Sequence, residues 1–264
     1  MISRDDIRRC YDTIRPYIRR TPVIRVDLAE LGEAATALPV AALKLEQLQC
    51  AGSFKARGAF TNLLLREVPP AGVVAASGGN HGVAVAYAAR RRGIPAKIFV
   101  PTVSAPAKIG RIRELGADLV VTGERYADAL GGGGLIAGTA SWFAGTARVV
   151  GVEPDGAPTL SYARAEGRPA DAPAGSVAAD ALAPRRVGEL VFPITESYVD
   201  DVVLVDDESI LAAQRALWQA FRIAAEPAAS VGIAALLAGA YKPAPGEHVT
   251  VVISGANMSP SQLG

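Results

Sequence analysis

A regular alternation of short apolar runs and helical stretches constrains the fold of this chain more than any other feature. Apolar runs at residues 73–76, 98–100 and 119–121 predict strands, and the stretches 80–91 and 107–115 between them predict helices. Strands that alternate with helices in this way form a parallel sheet with helices on its faces. The sequence therefore predicts the α/β class.

The rest of the chain repeats these signals around a loop-rich stretch. Ser3 and Asp6 carry the sequence signature of a capping box at the first helix. Further strands are predicted at 40–45, 148–152, 202–205 and 249–253, and further helices begin near residues 55, 135, 206 and 227. Five prolines between residues 154 and 184 predict loops there. A length of 264 residues accommodates one large or two small domains, at roughly 100–200 residues each.

Charge, hydropathy and cysteine content limit the partners and the compartment. The chain has 27 Lys and Arg against 26 Asp and Glu, a net charge of +1, so it offers no broad basic surface to a nucleic acid. Its longest apolar run, residues 228–241, is shorter than the roughly 20 residues that a membrane helix requires. The N-terminus lacks the apolar core of a signal peptide, and two cysteines make no disulfide framework. We therefore expect a cytoplasmic protein without nucleic-acid or membrane partners.

A glycine-bearing turn with polar side chains follows the predicted strand at 73–76. Glycine permits a close approach of the backbone to a ligand, and free amides at the start of the next helix favour an anion. Polar side chains at the carboxyl end of a strand point into the ligand crevice of a parallel sheet, which favours a binding turn over an ordinary connection. The residues of this turn are Ser77, Gly78, Gly79, Asn80 and His81.

Two later segments have similar character. Gly131, Gly132, Gly133 and Gly134 precede an apolar helix, and their amides suit a phosphate better than a plain linker would. Neither the G-x-G-x-x-G of dinucleotide-binding proteins nor the G-K-[ST] of a P-loop is present. Ser254 follows the last predicted strand, where its hydroxyl either faces the same crevice or simply ends the strand.

Lys55 is the candidate nucleophile. It is one of five lysines in the chain and lies among small and aromatic residues at 51–60. Partial burial lowers the pKa of a lysine and makes its amine a nucleophile that can form a Schiff base, whereas most lysines are simply solvated. The two histidines, His81 and His248, do not make a metal cluster. A reactive amine, a phosphate-binding loop and polar strand ends together favour pyridoxal 5′-phosphate as the cofactor.

The sequence resembles the fold-type II pyridoxal-phosphate enzymes, in particular their threonine/serine dehydratase and serine racemase branch. The segments that carry the resemblance extend over nearly the whole chain, in family order: 53–59, 77–82, 131–134, 226–227 and 254–257. The resemblance implies the tryptophan synthase β-like fold, with two open, mainly parallel twisted sheets and flanking helices. It also implies a homodimer.

The resemblance assigns roles to these segments. Lys55 would carry the cofactor, and Asn80 would hydrogen-bond its ring hydroxyl oxygen. Ser254 would contact the pyridine nitrogen, and the substrate carboxylate would lie on the turn from Ser77 to His81. The remaining cofactor contacts would come from Phe54, Gly131, Gly132, Gly133, Gly134 and Glu226.

The implied reaction is the β-elimination of L-threonine or L-serine to a 2-oxo acid and ammonia. Lys55 would remove the α-proton as general base. In the racemases of the family a second serine precedes the Gly-Asn-His of the turn, and this position is Gly78 here. The resemblance therefore predicts a dehydratase without efficient racemisation.

The resemblance also raises the prospect of a divalent cation, Mg²⁺ or Ca²⁺. Glu153 and the carbonyl of Ala157 match two of the family ligands. A third ligand, a carboxylate in the family pattern, is Thr159 here. The alternative for Glu153 is a carboxylate that faces solvent at the end of a strand.

The predicted organisation is a large cofactor domain, 1–71 plus 131–264, and a small mobile domain, 72–130. Compared with the family, a strand, a helix and another strand are missing between Leu130 and Gly131, about 50 residues at typical element lengths. Either the protein lacks this segment or the sequence omits it. The second explanation is favoured, because a sheet without a central strand leaves unpaired backbone groups in the core.

Two other kinds of function stay open. A related lyase of β-hydroxy amino acids, such as a hydroxyaspartate dehydratase, or a serine racemase has the same motifs. If the segment is truly deleted, the chain is instead an inactive protein that binds pyridoxal phosphate or an amino acid.

Overall fold

The computed structural model describes residues 2–32, 35, 38–102, 104–122, 133–182 and 184–263. Leu130, Gly131 and Gly132 lie outside these ranges, and so does the predicted break between residues 130 and 131.

The described residues form ten α-helices and eight strands. The helices are α1 (Arg4–Ile14), α2 (Lys55–Leu65), α3 (Asn80–Arg92), α4 (Pro106–Glu114), α5 (Gly134–Phe143), α6 (Thr159–Glu166), α7 (Ala179–Leu182), α8 (Phe192–Tyr198), α9 (Asp207–Phe221) and α10 (Pro227–Leu237). The strands are β1 (Val23–Asp27), β2 (Val40–Leu45), β3 (Val73–Ala76), β4 (Ala96–Val100), β5 (Asp118–Val121), β6 (Val150–Pro154), β7 (Asp201–Val205) and β8 (Val249–Ile253).

These strands form three sheets, with the orders β1-β2-β8, β3-β4-β5 and β6-β7. Every pair is parallel except β1 and β2, which pair antiparallel with Val23 opposite Lys44. The predicted α/β class, with parallel sheets and flanking helices, is confirmed. Strand β1 was not predicted, since it is an edge strand in which only Val26 is buried.

Helix α10 connects two of the sheets. Its sequence contains no charged residue, and most of its side chains are buried. It packs against β8 and also against β6 and β7, so the sheets β1-β2-β8 and β6-β7 lie under the same helix. Helix α9 packs on α10 and contributes Ile210 and Leu217, both fully buried, to the same core.

A second core lies around the sheet β3-β4-β5. Phe60 of α2 is fully buried there and stacks on Tyr17, with ring centroids 5.3 Å apart, and meets the edge of Tyr87. Helix α2 packs closely on α3. The core of the sheet β3-β4-β5 therefore includes residues from before the predicted domain boundary at 71/72.

Several local predictions can be compared directly with the structure. The capping box is confirmed, since the Ser3 amide donates to Asp6 Oδ2 at 2.9 Å and the Asp6 amide donates to Ser3 Oγ at 3.2 Å. The stretch predicted as loops, 154–184, contains α6 and α7, and α8 follows it. Pro158 directly precedes α6 and Pro193 lies in the first turn of α8, positions where a missing N–H costs no helical hydrogen bond. Among the described residues, no helix is long and apolar enough to cross a membrane.

Candidate active site

Backbone contacts hold the segment around Lys55 against the turn that follows β8. The Phe54 amide donates to the Ser254 carbonyl at 3.0 Å, and Ser53 forms an isolated antiparallel bridge with Gly255. Lys55 is the first residue of α2. The structure thus brings Phe54, Lys55 and Ser254 together at the carboxyl end of the sheet β1-β2-β8.

Lys55 is a largely enclosed amine. Its Nζ lies 5.0 Å from the centroid of the Phe54 ring and has no hydrogen-bond or ion-pair partner among the described residues. Burial lowers the pKa of Lys55, and the negative charge of Glu226 partly offsets this effect. An amine in this state loses its proton more readily than a solvated lysine, as a nucleophile or a general base requires.

Glu226 links α10 to the turn that begins α3. Its amide donates to the Gly255 carbonyl at 3.0 Å, and Asn80 Nδ2 donates to its Oε1. Asn257 Nδ2 in turn donates to Asn80 Oδ1 at 2.8 Å. A Cβ at position 255 would overlap Glu226 Oε1, so only glycine fits there. This chain of contacts fixes the orientation of the Asn80 side chain.

A second lysine belongs to the same cluster. Lys108 of α4, whose side chain is 1% exposed, lies with its Nζ 2.6 Å from Asp180 Oδ2 and 3.2 Å from Glu226 Oε2. Burial alone would lower the pKa of Lys108, but the charges of Glu226 and Asp180 hold it above its ordinary value. Burial raises the pKa of Glu226, and Lys108 opposes that shift. The three groups form a buried ion cluster that joins α4, α7 and α10.

Sequence reasoning missed both Lys108 and Asp180. One signal could have found the lysine. Lys108 is separated by four residues from Ile112 and by seven from Leu115, and all three are buried. A lysine in the apolar stripe of a helix indicates a buried charge with a partner.

The predicted substrate turn lies close to Lys55. Gly78 and Gly79 are buried, and α3 begins at Asn80 without a side-chain cap. Ser77 Oγ accepts a hydrogen bond from the Gly79 amide at 3.3 Å. The pKa of His81 is lowered by desolvation and then by the charge of Lys55. The turn can therefore present uncapped helix amides to an anion beside the lysine.

The phosphate loop is described only in part, because Gly131 and Gly132 lie outside the described residues. Gly133 has φ +91°, a left-handed conformation, and a Cβ there would lie 2.7 Å from Val191 Cγ1. Any other residue at 133 would thus be strained. Helix α5 begins at Gly134 and has no side-chain cap, so its first amides are available to an anion.

The predicted metal residues have other partners. Glu153 accepts hydrogen bonds from the amides of Leu160 at 2.7 Å and Ser161 at 2.9 Å, which anchors the start of α6. The Ala157 carbonyl accepts from the Thr159 amide at 3.0 Å. Within the described part of the chain, no group of three or more His, Cys, Asp or Glu side chains could hold a metal ion. These contacts do not fit a cation site.

The electrostatics of Lys55 predict how it titrates in the cofactor-free protein. We expect its amine to become reactive at lower pH than that of a solvated lysine such as Nα-acetyllysine, because burial disfavours the ammonium form. The variant Glu226→Gln should shift this onset to still lower pH, since it removes the opposing negative charge. The measurement is the pH dependence of amine labelling, resolved by residue with mass spectrometry. Identical profiles for Lys55 and for free Nα-acetyllysine would contradict the expectation.

Comparison with known proteins places this geometry in a family. The model of the family described as "Pyridoxal-phosphate dependent enzyme" matches residues 14–130 and 128–255. A phenylserine dehydratase from Ralstonia pickettii is 31% identical, over 92% of this chain and 90% of that protein. An L-threonine ammonia-lyase from Thermotoga maritima is 31% identical, over 100% of this chain and 77% of that protein. The structure of maize serine racemase superposes with a TM-score of 0.85 at 27% identity and covers 99% of this chain and 95% of that one.

The comparisons also bear on the length of the chain. The alignment with the Thermotoga protein extends over 319 positions, whereas this chain has 264 residues, so at least 55 positions have no counterpart here. The two segments matched by the family model meet at residues 128–130, next to the junction of Leu130 and Gly131. With a match that covers most of its length, the chain belongs to the pyridoxal-phosphate dependent enzymes.

Proposed function

We propose that this protein is an ammonia-lyase that converts L-threonine and L-serine to a 2-oxo acid and ammonia. The observation that carries the proposal is the enclosed amine of Lys55, which lies beside the Glu226–Asn80–Asn257 network at the carboxyl ends of the parallel strands β2 and β8. The similarity to an L-threonine ammonia-lyase along the whole chain supports the choice of reaction.

The residues around Lys55 fit pyridoxal phosphate. The Lys55 amine is unpaired among the described residues, and Ser53 Oγ is fully buried without a hydrogen-bond partner there. The uncapped start of α5, after Gly133, suits the phosphate, and Ser254 lies next to Phe54 for contact with the ring nitrogen. When bound, the cofactor supplies an electron sink for the negative charge that develops at the substrate Cα.

The residues of this protein remove the α-proton, bind the substrate carboxylate and hold the cofactor. Lys55 Nζ takes the α-proton, a role for which its lowered pKa prepares it. The amides that begin α3 hold the substrate carboxylate, with Ser77 and His81 beside them. Asn80, oriented by Glu226 and Asn257, holds the cofactor ring hydroxyl. The α-proton and the β-hydroxyl leave together as water, and hydrolysis of the unsaturated product takes up one water and releases the 2-oxo acid and ammonia.

The direct test is an assay of the purified protein with added pyridoxal phosphate. We expect L-threonine to yield 2-oxobutanoate and L-serine to yield pyruvate, each with one equivalent of ammonia. The 2-oxo acid is measured with a dehydrogenase that reduces it, and the ammonia is measured with a separate ammonia assay. Binding of the cofactor without turnover of any β-hydroxy amino acid would instead identify an inactive binding protein.

A lyase with an aromatic β-hydroxy amino acid as its substrate is the second candidate. The relative named phenylserine dehydratase, which aligns with 92% of this chain, favours it. Rates on L-threonine, L-serine, phenylserine and 3-hydroxyaspartate, measured side by side, separate the candidates. Formation of D-serine from L-serine in the same assay measures racemisation, which the glycine at position 78 is expected to limit.

We further propose the division into a large domain, 1–71 plus 131–264, and a small domain, 72–130. The separate sheet β3-β4-β5 supports the small unit, whereas the packing of α2 on α3 indicates a shared core at its boundary. No described strand pairs with β8 on the side away from β2, and α10 covers β8, β6 and β7 together. A strand from the missing segment would fit between these sheets.

Three other expectations rest on the family resemblance or on composition. They are a homodimer, a cytoplasmic location, and a cation at Glu153 and Ala157. The free thiols of Cys10 and Cys50 support the cytoplasmic location. The amide contacts of Glu153 weigh against the cation, so EDTA should leave the assay above unchanged.

A further inference from the structure

A buried hydroxyl without a partner lies directly behind the substrate turn. Ser104 is 4% exposed, and its Oγ has no hydrogen-bond partner among the described residues. It lies in the loop between β4 and α4, four residues before Lys108. A buried hydroxyl loses its hydrogen bonds to water, and leaving it unpaired costs free energy, so such groups are rare in proteins.

Ser104 occupies the space that a side chain at residue 78 would fill. A Cβ on Gly78 would overlap Ser104 Oγ and lie 2.6 Å from Ser104 Cβ. The hydroxyl at this point of the turn is therefore supplied by the neighbouring loop and not by the turn itself. Gly78 is required because its hydrogen leaves room for Ser104.

The turn also offers uncapped amides. Helix α3 has 13 residues, and no side chain caps its first turn. The N–H groups of that turn and the helix dipole favour a negative charge. Ser104 Oγ lies against Gly78, two residues before the helix begins at Asn80, so its hydroxyl offers a further donor at the same turn. The unpaired hydroxyl and the uncapped helix are two independent observations that indicate one ligand group.

We propose that Ser104 binds the carboxylate of the amino-acid substrate, donating its Oγ–H to a carboxylate oxygen next to the amides that begin α3. Ser104 thereby positions the substrate and transfers no proton. This inference rests on the proposed function only in requiring that the substrate be an amino acid.

The test compares two ligands that differ in the carboxylate. L-Alanine has it and ethylamine lacks it, and neither carries a β-hydroxyl that could be eliminated. Binding to the holoenzyme is followed by the absorbance change of the cofactor, in the natural protein and in Ser104→Ala. We expect the variant to bind L-alanine about 10- to 100-fold more weakly, the effect of losing one hydrogen bond to a charged group. Its affinity for ethylamine should not change.

A matched control is available on α5. Ser141 is 2% exposed, and its Oγ is likewise without a partner, so Ser141→Ala removes the same kind of group away from the turn. Its affinity for both ligands should equal that of the natural protein. The unfolding midpoint of substrate-free Ser104→Ala should not fall, because the hydroxyl makes no bond in that state.

Three results would overturn the proposal: unchanged L-alanine binding in Ser104→Ala, equal weakening of both ligands, or a lowered unfolding midpoint. The titration needs no turnover. If the natural protein binds L-alanine but fails to deaminate L-threonine and L-serine, the proposed function fails while the role of Ser104 can still be measured.

Discussion

Replacement of Lys55 by alanine should reduce 2-oxobutanoate formation from L-threonine by about 10²- to 10⁴-fold, the usual contribution of a positioned general base. The reason is structural, since Lys55 is the amine enclosed next to Glu226 and Phe54. The measurement is the steady-state rate with saturating cofactor. A parallel reduction with borohydride should leave a phosphopyridoxyl group on residue 55 of the natural protein and none at that position in the variant.

The control for this variant is Lys97→Ala. Lys97 is 45% exposed at its side chain and pairs with Asp118 at 2.9 Å on the outside of the sheet β3-β4-β5. Its removal should leave the rate within about twofold, as is usual for an exposed pair worth only about 0–1 kcal/mol. Retention of more than a tenth of the natural rate by Lys55→Ala would refute the role of Lys55 as base.

Replacement of Lys108 by methionine should lower the free energy of unfolding by about 3–5 kcal/mol, because it leaves buried carboxylate charge without its partner. Lys108 is the cation of the cluster with Asp180 and Glu226, and Glu226 is 2% exposed. Urea denaturation of the cofactor-free protein at neutral pH measures the effect. The double variant Lys108→Met with Glu226→Gln should recover part of the loss, since the amide carries no charge.

The pH dependence of Lys108→Met follows from the same cluster. Burial raises the pKa of Glu226 in the folded state, and without Lys108 its main opposing charge is gone. A carboxyl whose folded pKa exceeds its unfolded pKa binds its proton more tightly when folded, so acidification stabilises the fold relative to neutral pH. The deficit of the variant should therefore shrink as the pH falls through the folded pKa of Glu226. A deficit that does not depend on pH would argue for lost packing instead.

Much of the fold was readable from periodicity. The predicted segments 73–76, 107–115 and 249–253 correspond to β3, α4 and β8 within one residue, because apolar spacing determines which residues can share a core. Polar residues were also predicted after two strands, Asn80 after β3 and Ser254 after β8, but these strands lie in different sheets, so only the tertiary fold brings both residues close to Lys55. Their catalytic roles are still predictions.

Other features could not be read from local sequence. Asp180 is paired with a lysine 72 positions away, and only the tertiary fold brings the two together. The helices α6 and α8 were not predicted. Each has a proline at its start, Pro158 or Pro193, and a proline is as typical of a loop as of the first turn of a helix. Ser104, whose hydroxyl is unpaired, lies in a loop without any periodic pattern. The requirement for glycine at position 78 comes from the contact with this loop, which only the tertiary structure shows.

The pairing of β2 with β8 also sets the order in which this protein can fold. Ala41 pairs with Val249, so β2 gains this neighbour only when a strand about 200 positions further along the chain is present. Contacts so distant in sequence form slowly and late. Until then β2 has β1 on one side and an open edge on the other, a surface that invites pairing with foreign chains. The segment around Lys55 is bridged to Gly255, which follows β8. It can therefore reach its final position only when β8 is in place. The surroundings of the reactive amine are thus complete only when residues about 200 positions further along the chain are in place.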